Sequence, residues 1–201
     1  MGMSLIYRRL SDEQRKGLER DPPFSGSLFP AGTPPPVPPE VVAQMKQKMR
    51  ELGLLKRIFL WFMLRRMNDR NILSLDKSWH VVHFLLTGER TMNPSHSSDN
   101  PLHNVVIGGR PTPIDSTFGP VRVIEKADVK KIATALSDVN TDSLRLKYSL
   151  ADLNAADLYG TPEPGGWDSR ELEIVFACIP RLKAFFADAA ASNQCVGIAV
   201  V

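Results

Sequence analysis

The chain has 201 residues, is 43% hydrophobic and 23% charged, and carries a net charge of +3. That composition excludes disordered and fibrous classes and suits one domain with a real core, alone or carrying an insertion. The charge is too small to point to nucleic acid. Two cysteines, Cys178 and Cys195, are too few for a disulfide framework, and buried free thiols are expected. No CxxC or Cys–His spacing suggests a metal. The first residues lack the long apolar core of a signal peptide. The best apolar run, LGLLKRIFLWFMLRRM, is broken by Lys56 and Arg57, so no membrane span is expected and the cytoplasm is the expected location.

Residues 3–9 (MSLIYRR) alternate as a strand, with Ser4, Ile6 and Arg8 on one side and Leu5 and Tyr7 on the other. Ser11, followed by Asp12 and Glu13, reads as the N-cap of a helix to about Glu19, which Asp21-Pro22-Pro23 stops. The stretch DPPFSGSLFPAGTPPPVPPE has the character of a polyproline spacer. From Glu40 to about Met67 the pattern turns helical, as two helices meeting near Gly53. Here Lys56, Arg57, Arg65 and Arg66 alternate with bulky residues such as Trp61. This is the composition of a partner-binding or membrane-surface segment, or of an accessory helix with solvated charges.

An amphipathic helix is predicted over Leu75–Gly88, with Asp76 in its first turn and Gly88 as its C-terminal cap. The run HNVVIGG (103–109) reads as an apolar strand, RPTPIDSTFGP as a turn-rich connection, and VRVIE (121–125) as a second strand. Helices are expected over Lys126–Val139, Thr141–Lys147, Leu150–Leu158 and Ser169–Ala191, the last interrupted or kinked by Pro180. CVGIAVV closes the chain as a buried strand. Strands at both ends and in the middle, separated by unequal helical blocks, imply an α+β fold: a single compact domain with a small sheet packed against several helices.

At helical spacing Asp76, His80, His83 and Thr87 share one stripe, beside an apolar stripe of Trp79, Val82 and Leu86. Two imidazoles can begin a metal site, but zinc needs more ligands, and nothing fixes His96 or His103 nearby. Histidine near a carboxylate also suits acid–base work. The third reading is a polar network tying the helix to neighbouring loops. Arg122, on a short strand, is expected to pair with a carboxylate such as Asp76, or to present its fork to an anion. Gly108-Gly109 is expected to form a tight turn, since neither GxGxxG nor GxxxxGK[ST] is present. Tyr159 and Trp167-Asp168 flank a proline–glycine turn, as aromatic anchors or pocket walls.

The segments MGMSLIYRRLS, LDKSWHVVHFLLTGE, FGPVRVIEKADVKKIATAL and RLKAFFADAAASNQCVGIAVV resemble the YfbM-like family, bacterial domains of unknown function. The resemblance spans most of the chain except about residues 22–71. It implies a single YfbM-like domain over 1–201, a bacterial cytosolic setting, and no established catalytic residue. The proline-rich spacer and basic amphipathic helix at about 22–71 stand as an insertion.

Two function classes follow. The first is a non-catalytic binding protein that occupies another protein, an immunity protein neutralising a toxin being its concrete form. The candidate contacts are Lys56, Arg57, Trp61, Arg65 and Arg66. The second is an enzyme or small-ligand binder using Asp76, His80 and His83 with Arg122. No catalytic residue, metal or cofactor is assigned. A protein partner is expected ahead of a membrane surface, and nucleic acid is not expected.

Overall fold

The computed structural model describes residues 2–20, 28–29, 71–92, 100–162 and 165–201. Strand β1 (Leu5–Leu10) leads into helix α1 (Asp12–Arg20). Ser11 Oγ accepts from the Gln14 N–H, and Gln14 Oε1 accepts from the Ser11 N–H, so two donors at the helix start are satisfied reciprocally. Next among the described residues come β2 (Ile72–Asp76), α2 (Trp79–Thr87), a 3₁₀ turn (Pro101–His103) and the short α3 (Asn104–Ile107). A hairpin of β3 (Arg110–Ser116) and β4 (Gly119–Ile124) precedes α4 (Lys126–Asp138), α5 (Thr141–Lys147) and α6 (Leu150–Ala155). The long α7 (Ser169–Ala191) and β5 (Cys195–Val200) complete the described elements.

The five strands form one antiparallel sheet in the order β2-β1-β5-β4-β3. The first and last strands thus pair at its centre, Tyr7 opposite Ile198. Period-two alternation sends Leu5, Tyr7, Leu73, Leu75, Ile124, Val196 and Ile198 to one face, beneath α2, α4 and α7. The opposite face carries Ile6, Leu10, Ile114, Val121, Val123 and Ala199, covered by Leu18 of α1 and by Leu28 and Phe29. The domain is therefore α+β, as expected. Among the described residues no helix is long and apolar enough to cross a membrane.

Several expectations are corrected. The central helix starts at Trp79, not Leu75: Leu73 and Leu75 alternate inward on β2, and Asp76 turns the chain with φ 49°. Residues 104–107 form a helix rather than a strand, because Asn100 caps Leu102 N–H and Pro101 sits in the first turn. The proline-bearing stretch 110–116 is a strand. It lies at the sheet edge, where missing N–H donors cost nothing, and its pairing is irregular between Pro111 and Asp115. Helix α7 is continuous across Pro180, and α6 ends at Ala155.

Within the expected spacer, Leu28 and Phe29 are buried against the sheet, and Arg8 Nη1 donates to Leu28 O at 2.8 Å. A Cβ at Gly197 would meet the Phe29 ring at 2.8 Å, so a glycine there admits the phenyl group. The predicted helices over 40–67, with Lys56, Arg57, Trp61, Arg65 and Arg66, lie outside the described residues.

Candidate functional site

Helix α2 is buried almost all round: Trp79, Val81, Val82, His83, Phe84, Leu85 and Leu86 are each under one-tenth exposed. Each such aliphatic or aromatic side chain stabilises the fold by about 1.5–3 kcal/mol. Gly88, at φ 78°, caps the helix by donating to Phe84 O, and Thr87 Oγ1 donates to His83 O. The two polar side chains on this helix that are only partly buried are those of His80 and Thr87.

His80 is held by main chain on both ring nitrogens. Nδ1 accepts from the Tyr159 N–H at 2.8 Å, so the proton resides on Nε2, which donates to Arg90 O at 2.7 Å. Its ring stacks on Trp79 at 5.5 Å, and Trp79 stacks on Tyr159 at 5.2 Å. Trp79 Nε1 donates to Met3 O, and the Tyr159 hydroxyl accepts from Met3 N–H. This network fastens α2 to the N-terminus and to two loops.

The predicted stripe does not assemble. Asp76 lies on β2 and accepts from Ser4 Oγ at 2.9 Å rather than orienting His80. Arg122, on β4, donates through Nε to Gly108 O at 3.2 Å and through Nη2 to Gly109 O at 2.7 Å. Two strands separate β2 from β4, about 14 Å at the usual strand spacing, so Arg122 cannot reach Asp76. The glycine turn that it holds is as tight as expected. Gly109 has φ 82°, and a Cβ at Gly108 would meet Asn104 O at 2.1 Å. Trp167 is buried beneath its turn as an anchor, its main-chain N–H donating to Asn154 Oδ1. Both cysteines are free and buried, on opposite faces of the sheet.

His83 differs. It is 3% exposed, and neither ring nitrogen has a hydrogen-bond partner of ordinary geometry. Burial pulls its pKa from 6.5 to about 4, helped by nearby His103 and His80 and opposed by Glu89 and the approaching Thr91 main chain. The imidazole is therefore neutral near pH 7. It lines a cleft of about 160 Å³ with Glu89, Thr91, Met92, His103, Asn104 and Ile107. The His83 and His103 rings stand edge to face at 6.3 Å, and His103 Nδ1 lies 3.7 Å from Glu89 Oε2. Among the described residues no group of three or more His, Cys, Asp or Glu is placed to hold a metal ion.

Sequence reasoning found His83 but not its surroundings. In the sequence nothing fixes His103 beside this helix, and Glu89, Thr91, Met92, Asn104 and Ile107 carry no motif. They converge because α3 folds back beside α2, which the strand reading of 103–109 hid. The Asn100-Pro101 pair was the available signal for a helical start.

The profile described as "Domain of unknown function (DUF1877)" matches residues 1–199. YfbM from Escherichia coli, a solved protein of unknown function, is similar in structure with a TM-score of 0.58 at 15% identity. The match covers 98% of this chain and 99% of that one. At that identity the likeness speaks for the fold alone. No curated protein matches the chain. The chain belongs to the DUF1877 family, the YfbM-like domains of unknown function.

Proposed function

We propose that the protein is a non-catalytic binding protein of the bacterial cytosol that acts by occupying another protein. The observation that carries this reading is the state of His80, the best-placed acid–base candidate in the sequence. Both of its ring nitrogens are taken by main chain, leaving none to exchange a proton with a substrate. Arg122 likewise serves the carbonyls of a tight turn. Two large apolar side chains flank the Arg145–Glu173 ion pair at the surface: Leu146, 90% exposed, and Ile174, 57% exposed. Together with the basic, aromatic segment around Lys56, Arg57, Trp61, Arg65 and Arg66, they favour a protein partner.

An immunity protein neutralising a toxin is the concrete form of this reading. Co-expression with the product of a neighbouring reading frame tests it. The expected result is restored growth and a stable complex, both weakened by reversing Arg65 and Arg66 to Glu. A toxic neighbour that the chain neither binds nor neutralises would overturn it.

A further inference from the structure

The cleft at His83 has features that the fold does not use. His83 is an imidazole only 3% exposed, and among the described residues neither ring nitrogen has a hydrogen-bond partner of ordinary geometry, the Thr91 main chain only approaching it. Such a group on the wall of an open cleft is satisfied by whatever enters it. We propose that this cleft is a binding site for a small organic cation, a protonated amine or guanidinium on a short apolar body.

The lining sets this class. Among the described residues that line it, Glu89 supplies a carboxylate and there is no lysine or arginine. The 3.7 Å separation of Glu89 from His103 exceeds hydrogen-bond length, so the carboxylate lone pairs remain available to stronger donors. Neutral His83 offers a bare nitrogen as acceptor, while Thr91 and Asn104 add oxygen acceptors. An anion would meet Glu89 with no lysine or arginine among the described lining residues to compensate. Met92 and Ile107 supply apolar wall for methylene groups. At about 160 Å³ the cleft matches cavities of ~150 Å³ that take one benzene-sized molecule, so the ligand is small. The groups that define the site, His83 and Glu89, play no part in the function proposed above.

Histidine ring signals provide the test, since the chain has only 4 histidines. The full-length protein is titrated at about pH 8, above the ordinary histidine range, with n-butylguanidinium, n-butylammonium, butyramide and butyrate. The expected result is saturable movement of the His83 and His103 signals with the two cations, with His80 unmoved. Glu89→Gln, a surface substitution, is expected to weaken binding about tenfold or more at unchanged melting temperature, because it removes a charge-assisted bond. His83→Leu is expected to weaken it as well. No saturable shift with either cation, equal binding of butyrate, or full affinity in Glu89→Gln would each overturn the proposal. Saturation by zinc without response to either cation would overturn it in favour of a metal site.

Discussion

His80 and His83 stand one turn apart on α2 and meet opposite environments. His80 is partly exposed, yet both nitrogens are hydrogen-bonded to main chain from distant loops. His83 is buried deeper and bonded to nothing of ordinary geometry. A paired histidine contributes to stability and is not free to react. An unpaired one costs stability and is retained beside a cleft. The same residue type thus marks a structural joint in one place and a candidate site in the other.

Acid should separate the two most strongly. The unfolded chain protonates His83 near pH 6.5, whereas the folded chain resists until about pH 4. Between those values the unfolded state binds more protons, so stability falls as pH drops through that window and levels off below it. At about 1.4 kcal/mol per pH unit the loss is on the order of 3 kcal/mol. Urea denaturation at stepped pH should show this slope, and His83→Leu should abolish it. An unchanged slope in the variant would place the imidazole in solvent.

A smaller effect is expected at His80. Replacing it with Ala leaves the Tyr159 N–H and Arg90 carbonyl without their partner, for a loss of about 2 kcal/mol at pH 7 in urea denaturation. At the same pH, His83→Leu should stabilise the protein by about 1 kcal/mol, since it replaces an unsatisfied polar ring by an apolar group. Destabilisation by His83→Leu as large as that of His80→Ala would erase the distinction between them. Glu89→Gln should change stability least, by less than about 0.5 kcal/mol, because its carboxylate is over half exposed and its histidine contact is long.

Legibility in the sequence followed how local each cause was. Alternation along MSLIYRR correctly assigned Ile6 to one face and Leu5 and Tyr7 to the other. Capping residues marked α1, and the C-terminal glycine marked the end of α2, because these signals act within a few residues. The start of α2 was misplaced because ILSLD is too short to separate strand alternation from the helical stripe that follows it. Residues 103–109 failed for the same reason: three consecutive apolar residues suit either a buried strand or one helical turn. In RPTPIDS the prolines hid inward-facing Thr112 and Ile114, since only sheet order reveals that the strand lies at an edge.

By itself, the sequence determined an α+β domain, most of its helices, the pairing of chemistry-bearing residues on one helix, and the family to which the chain belongs. Those conclusions rest on periodicity, capping and residue pattern, all of which operate over short stretches of chain. Tertiary structure alone decided which histidine is a joint and which lines a cleft without a partner of ordinary geometry. The partners of His80 come from residues 90 and 159, and the surroundings of His83 come from residues 89 to 107. Hydrogen bonding and desolvation depend on what the fold brings alongside, and two identical side chains three residues apart carry no trace of that difference.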